Sequence, residues 1–391
     1  MTASLDELDA AWSVYADRIK SAGEMIVGAG FPEDLRLRSE GYRYVGRLSA
    51  QAHQLFIEFA DTSRPTLFAR GGDITAYGAT NVDNNNSRCM VDPSGVYRVT
   101  GNVAGALELI MSVYEGEFVF GKPGVLAEIC LADLNIGEDG QLDLQVGGTE
   151  REHNWMPLGP DATYFGVRQF ISDWENDPIA DLGIERIDVV PPVDNLSSAG
   201  LIAALDRAAT WVEANVRVWN LYSNEAVKRT PTNRFDPPKY AEGGAVNMLH
   251  GGCRWSLEPE QALVITLDPG GAKYWSIQNY VLHWLQPLDF VDRVTSLNQA
   301  QSHVSEDGLV RFVLSHRDPG VHNWLDTSGL PEGLCSGRWV RPGGDPAVSA
   351  QLVDLADVRD ALPTSTPTFG QDERMEQVAA RRRGANRRFR R

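Results

Sequence analysis

Several things are missing from this sequence, and each absence removes a class of explanation. No apolar run approaches the ~20 residues needed to cross a bilayer. The opening MTASLDELDAAW shows no basic stretch leading into an apolar core, so no secretory signal is expected and the cytoplasm is the default compartment. No G-x-G-x-x-G follows a strand into a helix, and there is neither a P-loop nor a G-x-S-x-G elbow. No nucleotide cofactor and no standard serine hydrolase is therefore expected. Cysteine is scarce. Cys89, Cys130, Cys253 and Cys335 stand apart, without a C-x-x-C pair or zinc spacing, which fits free buried thiols in a reducing compartment. Positive charge is scarce too. A net charge of −17 argues against nucleic acid as the main partner, because phosphate binding needs a basic surface. The exception is residues 371–391, where eight arginines meet only Asp372, Glu373 and Glu376.

What is present is organised. With 391 residues and 42% hydrophobic content, the chain is long enough for two to three domains with substantial cores. Ser4-Leu5-Asp6-Glu7 has the form of a capping box, and Leu5, Leu8, Trp12, Tyr15 and Ile19 follow at helical spacing to about Val27. Gly28–Pro32 breaks the run, and a second helical pattern covers about Glu40–Ala60. The aromatics Trp12, Tyr15, Tyr42 and Tyr44 read as packing residues. From about Thr66 short apolar runs alternate with Gly, Asn, Asp and Pro, as in β structure with many turns. Leu142, Leu144 and Val146 alternate with Gln141, Asp143 and Gln145, the period of a strand with one buried face.

This β region repeats itself. Asn81, Arg88 and Asp92-Pro93 match Asn247, Arg254 and Glu258-Pro259 at the same spacings. Glu138-Asp139-Gly140, His153-Asn154-Trp155 and Arg168 then match Glu306-Asp307-Gly308, His322-Asn323-Trp324 and Arg338. The offset grows slowly from 166 to 170, as small loop insertions in one copy would produce. The expected architecture is mainly β with helical additions. An N-terminal helical arm (1–61) precedes a first jelly-roll or sandwich-like lobe (62–172). A connector (173–240) follows, with a turn at Pro191-Pro192, Asp194–Ser198 ending an irregular stretch, and one long helix carrying Leu201, Leu205, Ala208, Val212 and Val216 on a face. A second lobe (241–342) and a C-terminal segment with an Arg-rich helical tail (343–391) complete the chain. Val353, Leu355 and Val358 suggest a short helix within that segment. The tail reads as a helix docked on the acidic body or as a solvated end, with an anionic membrane or nucleic acid as the rival.

Tyr274-Trp275-Ser276, Asn298, Glu306-Asp307-Gly308, Asn323-Trp324-Leu325 and Arg338 resemble the C-terminal β-domain known as domain of unknown function 1214, over about residues 250–342. The resemblance implies a jelly-roll-like fold, often preceded in relatives by domain of unknown function 1254. It carries a suggested link to carbohydrates. Here Asp326 stands where relatives usually have Pro, and the first lobe resembles the second more than it does that companion domain.

Candidate chemistry is sought first where the copies differ. His250 aligns with Asn84, and only the second copy has His283-Trp284, Asp289, Asp292 and Arg293. His283 suits a general base near neutral pH, oriented by Asp289 or Asp292, with His250 as a second acid–base group. His250, His283 and an Asp are also a conceivable metal set. Trp284, Trp324, Tyr274, His322, Asn323, Arg338 and Arg254 are the expected binding residues, because aromatic faces, amides and guanidinium groups recognise polar ring-shaped or anionic ligands. Set against this, His-Asn-Trp recurs in both copies, and a feature repeated with the fold is readily explained by folding. The expectation is an acid–base enzyme for a polar small molecule or carbohydrate-like ligand, with a cleft at the β-lobes. The alternative is a non-catalytic binding or assembly protein.

Overall fold

The computed structural model describes residues 3–28, 33–70, 72, 75–122, 124–190, 197–229, 231–240 and 247–389. The expected breaks at Ala29–Pro32 and at Pro191-Pro192, and the Asp194–Leu196 end of the irregular stretch, lie outside them. The chain divides into two compact units, one of residues 1–78, 84–171 and 178–221, the other of residues 79–83, 172–177 and 222–391.

The first unit begins with helices α1 (Leu5–Met25) and α2 (Leu35–His53), the latter continued by a π-helical turn at 54–58. Ser4 caps α1 as expected. Its hydroxyl accepts from the Glu7 amide while the Glu7 carboxylate receives the Ser4 amide, satisfying donors the first turn leaves open. Among the described residues the strands that follow are, in chain order, β1 (Phe68–Ala69), β2 (Asn84–Met90), β3 (Tyr97–Asn102), β4 (Glu108–Tyr114), β5 (Val125–Cys130), β6 (Gln141–Val146), β7 (Trp155–Met156), β8 (Tyr164–Phe170) and β9 (Asp181–Arg186). They form two sheets, β1-β2-β8-β4-β5 and β7-β6-β3-β9. Alternate residues of both sheets, among them Val99, Met111, Leu142, Leu144 and Phe165, make one core, which defines a sandwich. Helix α3 (Ser198–Arg229) buries Leu205, Ala208, Val212 and Val216, the face its spacing predicts.

The second unit repeats this plan. Its strands are β10 (Lys239–Tyr240), β11 (Met248–Ser256), β12 (Gln261–Asp268), β13 (Tyr274–Tyr280), β14 (Ser296–Asn298), β15 (Val310–Ser315), β16 (Trp324–Asp326), β17 (Glu332–Val340) and β18 (Ala347–Asp354). The sheets are β10-β11-β17-β13-β14 and β16-β15-β12-β18, the strand order of the first unit throughout. Trp275 and Phe312 meet edge-on between them, with ring centroids 6.2 Å apart. The helix expected at Val353–Val358 is instead the end of β18 and a single 3₁₀ turn at Leu355–Asp357. Eight residues of β18 pair with β12, and that long-range ladder overrides the local spacing.

Pairing also corrects the repeat alignment. Arg168 and Arg338 do match, standing opposite Ile110 and Ser276. On the other side, however, Arg338 faces His250 whereas Arg168 faces Asn86, not Asn84. A shift of two residues is invisible to a pattern of period two, because it keeps every side chain on its face.

Helix α4 (Gln371–Phe389) closes the second unit. The basic tail is a docked helix. Arg374 pairs with Asp318 at 2.9 Å, Arg381 donates to the Ser296 and Phe290 carbonyls at 2.8 and 2.9 Å, and Arg383 joins Glu175 and Glu376 at 2.6 and 2.8 Å. Among the described residues no helix is long and apolar enough to cross a membrane.

Candidate functional site

The β10-β11-β17-β13-β14 sheet has one apolar face and one polar face. Alternation puts His250 and Arg254 of β11, Arg338 of β17, Tyr274, Ser276, Gln278 and Tyr280 of β13, and Ser296 and Asn298 of β14 on the polar side. That face holds most of the expected binding residues, and it is filled by the protein itself. Residues 79–83 lie along it. Arg338 Nη2 donates to the Ala79 carbonyl at 2.7 Å, Gln278 Nε2 donates to the Thr80 carbonyl at 2.8 Å, and the Val82 amide donates to Gln278 Oε1 at 3.1 Å. Asp83 accepts from Tyr274 at 2.6 Å, from Trp174 Nε1 at 2.7 Å and from Asn298 Nδ2 at 2.9 Å. Tyr274 is fully buried, and burial first, then Asp83, holds its hydroxyl well above the ordinary tyrosine range. Arg381 and Arg388 flank the Trp174 ring, 4.7 and 4.9 Å from its centroid. Burial pushes both guanidinium groups down to about 10, with Asp83 opposing, so both stay cationic at neutral pH. Tyr274 and Arg338 thus hold an internal peptide rather than line a cleft.

The remaining expected residues are dispersed. Trp284 is buried and offers no face to a ligand. Arg254 pairs with Glu332 at 2.8 Å. Asp289 caps its own loop, accepting from the Val291 and Asp292 amides at 3.1 and 3.0 Å. His283 lies in the field of Glu332 and Arg254, and burial holds its imidazole below the ordinary histidine value. His250 is four residues from Arg254 along β11, a separation of about 13 Å at the usual rise per residue. His283 and Asp289 thus have different charged neighbours, Glu332 and Arg254 for the first and Arg381 for the second. Among the described residues no cluster of three His, Cys, Asp or Glu side chains is placed to hold a metal ion.

The His-Asn-Trp repeats are bracing, in the same pattern twice. Asn154 accepts from the Asn135 amide and donates to the Asn135 and Asp143 carbonyls. Asn323 accepts from the His303 amide at 2.8 Å and donates to the His303 and Arg311 carbonyls at 2.7 and 3.0 Å. Trp155 donates to the Gly147 carbonyl and Trp324 to the Ser315 carbonyl.

One expected residue keeps a chemical face. His322 lines a groove of about 500 Å³ with Gln301, Glu175, Glu376, Gln377 and Phe369. Its Nδ1 lies 2.9 Å from Asn323 Oδ1, which can only accept. The proton of the neutral ring is therefore on Nδ1, and Nε2 carries the lone pair. Burial is the main reason this imidazole is held below the ordinary histidine value, which keeps it neutral near pH 7. A neighbouring groove of about 600 Å³ is lined by Asp318 and Arg374, already paired with each other. The sequence singled out His322 but not Glu175, Gln301, Glu376 or Gln377. Nothing local marks them, because 172–177, the loop after β14 and α4 meet only in the fold.

Comparison with known proteins places the chain without assigning chemistry. Residues 238–332 match the family described as "Protein of unknown function (DUF1214)", as the sequence resemblance implied. A crystal structure of an uncharacterised protein from Burkholderia cenocepacia is similar over 90% of this chain and 99% of its own, at 29% identity and a TM-score of 0.83. The VPA0106 protein from Vibrio parahaemolyticus covers 79% of this chain and 98% of its own at 11% identity, with a TM-score of 0.42. No curated protein matches.

Proposed function

We propose that the second unit binds a polar, hydroxyl-bearing small molecule of carbohydrate-like chemistry, and that its acid–base group is His322 rather than His283, Asp289 or His250. One observation carries this reading: the Asn323 side chain sets the His322 tautomer and leaves Nε2 as an acceptor in a groove also lined by amides, carboxylates and Arg381. A ligand hydroxyl donates to Nε2, and transfer of its proton there is the chemistry the site offers. Gln301 and Gln377 supply amide donors, their oxygens already receiving Arg381 and Arg374; Glu376, paired with Arg383 through one oxygen, supplies its other, and Phe369 supplies an apolar wall. The link to carbohydrates suggested by the family resemblance points the same way.

The test is a thermal-shift and calorimetric screen of mono- and disaccharides and polyols against the full chain. A hit is expected whose Kd rises about tenfold or more in His322→Gln, with the melting temperature of the ligand-free variant unchanged. Binding is also expected to weaken as acid protonates Nε2. No hit, or a hit indifferent to both His322→Gln and Gln301→Ala, sinks the reading.

A second reading rests on a different observation. The apolar stripe of α1 is left open at its N-terminal half, with Leu5 80% and Trp12 61% exposed. These residues do not pack as their spacing predicts, and they fit self-association of the helical arm.

A further inference from the structure

We propose that the first unit carries a separate binding site for small hydroxy-carboxylates, centred on Arg168. Arg168 lies on β8, the central strand of its sheet, between Asn86 of β2 and Ile110 of β4. It is half-buried. Among the described residues its guanidinium makes no hydrogen bond, ion pair or ring contact, and Nη1 is sealed from solvent with no partner. Two further groups beside it are in the same condition. Asn86 Oδ1 and Asn84 Oδ1 are buried and unpartnered, and the whole Asn84 residue is only 7% exposed. Asn86 is the register partner of Arg168, with Cβ atoms about 5 Å apart in such pairs, and Asn84 follows on the same face within reach of a long side chain.

Other charges on this face do not cancel Arg168. Glu117 is taken by Arg88 at 2.6 Å, and Arg70 adds to the positive field around it. Glu128 receives the Ser112 hydroxyl, and Glu108 accepts from the Leu109 amide. The unmet requirements are thus one cationic fork and two amide oxygens. An oxyanion answers the fork, because a planar guanidinium pairs with a carboxylate through two parallel hydrogen bonds. Hydroxyl donors answer the amide oxygens. A carboxylate bearing hydroxyl groups on neighbouring carbons presents both kinds of group.

The second copy shows what the position does in this fold. Arg338, the register equivalent, holds the Ala79 carbonyl oxygen at 2.7 Å, so that copy is filled by an internal peptide. The first copy keeps the arginine, and among the described residues no carbonyl is held by it in that way.

The experiment titrates gluconate and tartrate into the full chain by calorimetry, with sorbitol as the neutral control. Saturable millimolar or tighter binding of at least one hydroxy-carboxylate is expected, and none of sorbitol. Arg168→Gln is expected to weaken it about tenfold or more. Asn86→Asp gives Arg168 an internal carboxylate, and is expected to abolish binding while leaving the melting temperature equal or higher. Absence of binding by both acids, equal binding of sorbitol, or affinity unchanged in Arg168→Gln overturns the proposal. The His322 groove lies in the other unit, so His322→Gln is expected to leave this titration unaltered, and a loss there would contradict the assignment to Arg168.

Discussion

His322 and Asn323 show how one residue does chemistry because its neighbour does structure. The asparagine is held by three backbone bonds, and the imidazole beside it inherits a fixed tautomer. A thermodynamic signature follows. Burial holds the folded pKa of both His322 and His283 below the ordinary value of 6.5. Between that value and the folded ones, the unfolded chain binds more protons than the native chain. Stability is therefore complete above pH 6.5 and falls as pH drops through the folded values. Thermal melts from pH 8 to pH 5 are expected to be level at first and then decline, with a shallower decline in His322→Gln. An identical decline in that variant contradicts the assignment. Part of this was legible in the sequence, since His-Asn-Trp stood out by repeating. Its division into a brace and a base was not, because the partners of Asn323 are carbonyls and amides, which every residue has.

At the scale of elements, α4 depends on one missing side chain. A Cβ added to Gly384 would sit 2.5 Å from Trp174 Cβ and 3.2 Å from its carbonyl carbon, so the helix reaches this depth only with glycine there. Gly384→Ala is expected to destabilise the second unit by about 1–3 kcal/mol, the usual cost of overpacking. Chemical denaturation should show it as a lower midpoint at unchanged slope. A midpoint equal to that of the parent would mean that the helix is not held at this depth. Strands and helices were mostly readable from period two and period 3.6. The exception, β18, was read as helix because Val353, Leu355 and Val358 fit a helical face, while its partner β12 lies far away in sequence. Likewise the eight arginines announced a basic tail, but not that four backbone carbonyls and Asp318 would receive two of them.

For the whole molecule, the duplication was legible as an ordered series of matches with a slowly growing offset, and the shared strand order bears it out. The exposed end of α1 was not legible, since Leu5 and Trp12 fit an apolar stripe whether or not anything covers it. If the arm self-associates, Trp12→Glu should lower the solution mass measured by light scattering, and a parent chain that is already monomeric ends that reading.

The makeup of the second unit constrains how the protein can be made. Asp83 is translated with the first half of the chain, yet its partners Tyr274, Asn298, Arg381 and Arg388 come later. The last of them emerges roughly 300 residues behind it, about 15–60 s at ordinary elongation rates. Until β13, β14 and β17 are made, Asp83 has only Trp174 to bind, and residues 79–83 wait for the sheet face they later cover. A gene fragment cut to residues 238–332 would preserve that interval permanently. It would lack both residues 79–83 and Arg338 of β17, its Tyr274 and Tyr280 would meet solvent, and such a fragment is a poor surrogate for the protein.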